Sequence, residues 1–207
     1  MGNKKKQKNS VGKEFKSSIE RQYEIAFEYL KESRNFIYFT IAVFFLFVLL
    51  GFFVPVPEPF RSQILNYFES LVVRTKDLGI MDLIAFIFSN NATSGFAGLF
   101  FGFVFGIFPF FSTILNGFVL GFASNVSVSK DGILSLWRLL PHGIFELPAI
   151  FISFGLGIKF STFIFAKRKW KTFLGFLEKS ASVYFFVVLP LLVIAAIIEG
   201  TLIFLGI

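Results

Sequence analysis

From Leu83 to Ser129 the chain contains no aspartate, glutamate, lysine or arginine. A soluble fold would need charged surface somewhere along so long a segment, so lipid is the solvent that this run implies. The composition agrees. Of 207 residues, 55% are hydrophobic and 34 are phenylalanine, which points to one compact membrane domain. There is no cysteine, which excludes disulfides and thiolate-based metal or redox sites.

The net charge of +7 is unevenly spread. Residues 1–35 carry nine Lys/Arg against five Glu, and residues 159–179 carry six against one. Each basic cluster abuts an apolar run. This is the pattern expected where positive charge stays on the cytoplasmic side, and it is preferred to nucleic-acid binding. No nucleic-acid partner is expected. The first apolar run follows a long basic leader and ends in "PVPEP" with no small-residue cleavage site, so it reads as a retained span rather than a signal peptide.

Along the chain, "MGNKKKQKNS" is polar and basic and is expected to be disordered near lipid headgroups. Residues 14–34 place Phe15, Ile19, Tyr23, Ala26, Phe27 and Leu30 at helical spacing between charges, which predicts an amphipathic cytosolic helix. Residues 36–57 form the first span and 59–76 an amphipathic helix lying on the outer surface. Pro109 divides the long apolar region that follows, giving spans over 92–108 and 110–125, with further spans over 132–158 and 181–205 and a basic cytoplasmic loop over 159–179. The expected fold is all-α and polytopic, with about five transmembrane helices. The N-terminus is expected in the cytoplasm and the C-terminus outside. Two Asn-x-Ser/Thr sequons, at Asn91 and Asn125, lie too close to the membrane for glycosylation to be inferred.

Gly98, Gly102 and Gly106 recur every fourth residue, and Gly117 and Gly121 repeat the spacing. On helices these make flat faces where another backbone can approach closely. Packing within one chain is the first reading, with a dimer interface the second.

"LLPHGIFELPAIF" (139–151) holds the only histidine. Pro141 and Pro148 each free a carbonyl and Gly143 weakens the helix between them, so a kink or break is expected at Pro-His-Gly. His142 and Glu146 share a face if the segment is helical. Ionisable groups inside a span cost about 2.5–3.5 kcal/mol each on insertion scales, so they are expected to have partners or a function. Three roles fit the pair: a proton or ion relay, half of a metal site, or an internal hydrogen-bond clamp. A metal site would need further ligands, and neither cysteine nor a second histidine exists to supply them. No metal or other cofactor is expected. Counting depth along the helices places Asn116 level with Glu146 on the preceding span, so a contact between them is expected, with Gly117 and Gly121 letting the two spans close up. The same counting places Arg138 and Glu199 at one depth in the outer leaflet, where they should pair, with snorkelling of Arg138 to the interface as the alternative.

"LPHGIFELPA" (140–149), "NGFVLG" (116–121) and the basic helix feeding the first span resemble the stage II sporulation protein M-like family. The family pattern falls on Asn116, Gly117, Gly121, Pro141, His142, Gly143, Glu146 and Ala149. The resemblance implies a polytopic membrane protein. In spore-forming bacteria the namesake anchors peptidoglycan hydrolases during engulfment, while relatives also occur in organisms that make no peptidoglycan, archaea included. Neither a nucleophile arrangement, nor a phosphate loop, nor an HExxH motif is present to support catalysis. The expected function is a non-enzymatic membrane scaffold or anchor for other membrane or envelope proteins, acting as a homodimer. The alternative is a small transporter or channel with a polar site at His142 and Glu146.

Overall fold

The computed structural model describes the backbone of residues 2–206 and the side-chain surroundings of residues 18–137 and 143–206. Every regular element among them is helical. The α-helices are α1 (Gly2–Phe53), α2 (Glu58–Thr75), α3 (Ile80–Phe100), α4 (Ile107–Asp131), α5 (Leu140–Ser161), α6 (Lys169–Val183) and α7 (Leu189–Leu205). Five helical stretches are long and apolar enough to cross a membrane: Ser18–Phe53, Ile80–Phe103, Ile107–Asp131, Gly143–Phe165 and Lys169–Leu205. The chain is an all-α membrane protein.

Several element boundaries differ from those expected. α1 begins at Gly2 and so takes in the leader expected to be disordered. α3 starts at Ile80 rather than at 92, because "IMDLIAFIF" and the apolar run beyond it are joined through the helical "SNNATSG". The chain turns at Phe105–Gly106, not at Pro109. Both turn residues have positive φ (54° and 66°), and Gly106 caps α4. Pro109 lies in the first turn of α4, where its missing N–H leaves no helical bond unmade. At the Pro-His-Gly stretch, 3₁₀ geometry over Ile133–Leu139 gives way to α geometry at Leu140, and α5 continues through Pro148 to Ser161. The expected basic loop over 159–179 is mostly helix: Lys159 belongs to α5, and α6 begins at Lys169. A π-helical segment, Tyr184–Val188, joins α6 to α7 just before Pro190. Widening the helix there relieves the clash between the Pro190 ring and the preceding turn.

α1 is the spine. Ala26, Tyr29, Ser33, Thr40, Phe44 and Gly51 are buried and fall on one face of it. This face packs on α6 near the N-terminal end, then on α5 and α4. Two of its hydroxyls are satisfied locally, as apolar surroundings demand: Ser33 donates to the Tyr29 carbonyl and Thr40 to that of Phe36 at 2.9 Å. At the far end the Asn125 amide donates to the Phe52 carbonyl at 2.9 Å, satisfying one of the last acceptors of α1. α2 buries none of its residues against the other helices.

The glycines divide between two contacts. A Cβ on Gly121 would collide with the Val48 carbonyl, one on Gly51 with the Phe118 carbonyl, and one on Gly117 would stand 2.5 Å from that of Phe44. Gly117 and Gly121 therefore seat α1, not α5. Gly98 and Gly102 lie against Phe154 and Gly157 of α5. Gly106 shares no helix with them; it serves the turn.

Replacing Gly121 by alanine should lower the stability of the purified protein by about 1–3 kcal/mol, since the carbonyl opposite belongs to a helix backbone that cannot step aside. Gly175 on α6 has open space on its Cβ side, with no atom within 4 Å of where a methyl group would stand. Gly175→Ala should therefore stabilise by about 0.4–1 kcal/mol. Thermal unfolding in detergent reads both. Equal shifts in the two variants would contradict this packing.

Candidate functional site

Residues that the sequence reading singled out line one cavity. It measures about 580 Å³ and opens between α1, α4, α5 and α7. Helical spacing explains how they meet: Gly143, Glu146, Leu147 and Ile150 recur at three and four residues and so share the cavity-facing side of α5. Asn116 of α4 and Glu199 of α7 reach it from two other sides, while Phe44 and Val48 of α1 supply apolar wall. The result is a mostly apolar chamber holding two carboxyl groups and one amide.

The expected contact between Asn116 and Glu146 is not formed as a hydrogen bond among the described residues. The Asn116 amide donates instead to the Ser112 carbonyl of its own helix at 2.8 Å. The two side chains face a shared space rather than each other, because α1 and not α5 occupies the glycine face of α4. Gly143 is not a close-approach glycine: a Cβ there would make only ordinary contact with Leu147, at 3.7 Å. Ala149 is fully buried. The side chains of Arg138, Pro141 and His142 lie outside the described residues, and with them the expected Arg138–Glu199 pair and the His142 half of the His142–Glu146 pair. What the structure adds is that Glu199 shares a cavity with Glu146. No spacing rule links those two positions, since they come from helices far apart in the chain.

A second polar cluster escaped the sequence reading. Lys159, expected as the first charge of a cytoplasmic loop, is 7% exposed. Its ammonium donates to Ser33 Oγ at 2.9 Å, stands 3.6 Å from a Glu32 carboxylate oxygen and lies 3.9 Å above the Tyr29 ring. Lys179 of α6 reaches the same carboxylate at 3.2 Å. One acid on α1 thus binds cations from α5 and α6. The ring face and the serine oxygen supply the negative potential that offsets burying the ammonium. Farther along α1, Ser182 of α6 donates to Gln22 at 2.7 Å, and Tyr23 meets Phe186 edge-on at 5.2 Å. The only hint in the sequence was a lysine placed before the end of an apolar run, and snorkelling to the interface explains that equally well.

Lys159→Ala should cost about 1–3 kcal/mol, through the polar partners it strands. Lys159→Met should cost less, because it keeps the stem packed on Tyr29 and Phe176. Combined with Glu32→Ala, Lys159→Ala should be non-additive by roughly 0.5–2 kcal/mol in thermal unfolding. Strict additivity would mean that the pair carries no coupling.

Comparison with curated proteins and with solved structures finds no match. The family model described as Stage II sporulation protein M matches residues 40–202, which takes in most of the five apolar stretches and the whole cavity wall. The chain belongs to the Stage II sporulation protein M family.

Proposed function

We propose that this protein is a non-enzymatic membrane scaffold that holds other membrane or envelope proteins by means of a rigid arm. The observation that carries this reading is the continuity of α1. The helix that forms the first apolar stretch extends back to Ser18 and beyond as the same helix, braced on one face by α6 through Glu32–Lys179 and Gln22–Ser182. The opposite face shows Phe27, 55% exposed, among the exposed charges of Glu24, Glu28 and Lys31. A large aromatic ring within a charged surface is the composition of a protein-binding anchor. Rigid coupling between arm and membrane body suits a part that positions partners rather than one that turns over substrate.

The charge distribution supports a cytoplasmic arm. Residues 1–35 and 159–179 are strongly basic, whereas 58–77 balance three acids against three bases, counting Glu58, Glu69 and Asp77 against Arg61, Arg74 and Lys76. Five crossings then leave the C-terminus outside.

A second reading has its own observation. The chamber holding Asn116, Glu146 and Glu199 has the apolar wall and convergent polar groups of a small-molecule site, which favours a transporter or channel. In reconstituted vesicles a scaffold shows no solute or proton flux above lipid background. Flux abolished by Glu146→Gln would overturn the scaffold in favour of this reading.

Partner binding is tested by a photo-crosslinking residue placed at 27, with one at the lipid-facing position 197 as control. A scaffold yields defined protein adducts from 27 alone, and identical adducts from both positions would sink the arm. Orientation is tested separately. A membrane-impermeant thiol reagent added outside should label Asn66→Cys and spare Lys169→Cys, and the reverse would invert the topology.

A further inference from the structure

α3 has two different faces, and among the described residues only one of them packs against the rest of the chain. Leu83, Ile87, Gly95, Gly98 and Leu99 are buried against α5 and α7. The other face carries Ala85, Ser89, Thr93 and Ala97 at every fourth position, with Asn90 beside them, and Ala85, Ser89, Asn90 and Thr93 lie at least partly open. A surface groove of about 460 Å³ runs along this face between Phe86 and Ala97.

Depth makes this exposure costly. Counting inward from Leu83, where the uncharged run begins, a rise of about 1.5 Å per residue puts Asn90 about 10 Å and Thr93 about 15 Å into the bilayer. A hydrocarbon core of about 30 Å therefore places the most polar part of α3 at its middle. The stretch is the least apolar of the five, for the same reason. Within the chain the Asn90 amide meets only the neighbouring Asn91 oxygen among the described residues, at 3.4 Å. Hydrocarbon offers an asparagine no hydrogen bonds, so this face is one that lipid covers poorly.

We propose that the Ala85–Ala97 face of α3 is the contact surface for a second copy of this chain, with Asn90 at its centre. Small residues at four-residue spacing let two helices come close, and side-chain amides and hydroxyls then bond across the gap. A two-fold axis sets each residue near its own copy, and an asparagine amide, which both donates and accepts, complements itself. The glycine faces cannot serve this purpose, because α1, α4 and α5 already fill them. The inference rests on α3 crossing the membrane and not on the scaffold reading.

The chain has no cysteine, so a single introduced one reports contact between identical positions. Ser89→Cys, Thr93→Cys and, as control, Ile197→Cys on the 48%-exposed face of α7 are reconstituted at low protein-to-lipid ratio and oxidised. The expected result is a disulfide-linked dimer from position 89 or 93 and none from 197. Asn90→Leu in the Thr93→Cys background should lower the crosslinked fraction roughly fivefold or more while the thermal transition of the variant is kept. Equal crosslinking at all three positions, none at 89 and 93 in protein that remains folded, or an undiminished yield with Asn90→Leu would each overturn the proposal. So would adducts at 89 and 93 that form only with a different protein in native membranes.

Discussion

The close approach of α1 to α4 is the contact on which the remaining packing depends. Lipid tails are as apolar as leucine, so burying side chains gives helices little reason to associate within a bilayer. Dispersion across a tight interface must do that work, and it is gained by removing side chains where the backbones cross. Gly51 on α1 and Gly117 and Gly121 on α4 do this reciprocally, each set facing the carbonyls of the other helix. Once α1 is seated at this depth and rotation, it presents Ile37 to Gly155 of α5 and Glu32 to Lys159 and Lys179. A slip of one residue along α4 would turn that face by about 100° and break these contacts together.

Charge is handled in opposite ways at the two ends of the bundle. Near the N-terminal half of α1, Lys159 is closed off by a carboxylate, a serine oxygen and a tyrosine ring, so its charge meets partners within the protein. At the other end, two carboxyl groups and an amide line an open chamber whose walls are largely apolar. The first arrangement locks helices in place. The second leaves polar groups with room beside them, which is why it competes with the scaffold as a functional reading. α3 repeats the contrast on one helix: glycines and aliphatic residues face its neighbours in the chain, while hydroxyls and an amide face outward at mid-depth.

Hydropathy alone determined the solvent and the all-α class, because the cost of an unsatisfied backbone in lipid leaves a chain this apolar few other solutions. The number of spans needed charge as well, since basic clusters at 1–35 and 159–179 on one side of the membrane require an odd number of crossings after the outer helix. Hydropathy also marked Asn116, Glu146 and Glu199, since a polar group in an apolar run is conspicuous in one dimension, and the family was legible from Pro-His-Gly-x-x-Glu. Partnership was another matter. Periodicity says which residues share a face but not which helix fills it: depth counting turns Gly117 and Gly121 toward α5, whereas α1 occupies them. Turn position depended on two residues with positive φ, Phe105 and Gly106, and not on the nearby Pro109, because a proline in the first turn of a helix disturbs nothing. Lys159 reads as a loop charge in sequence, and only the fold brings Glu32 and Ser33, from the far end of the chain, beside it. Contacts between distant segments follow from how whole helices settle against one another, and that was decided only by the tertiary structure.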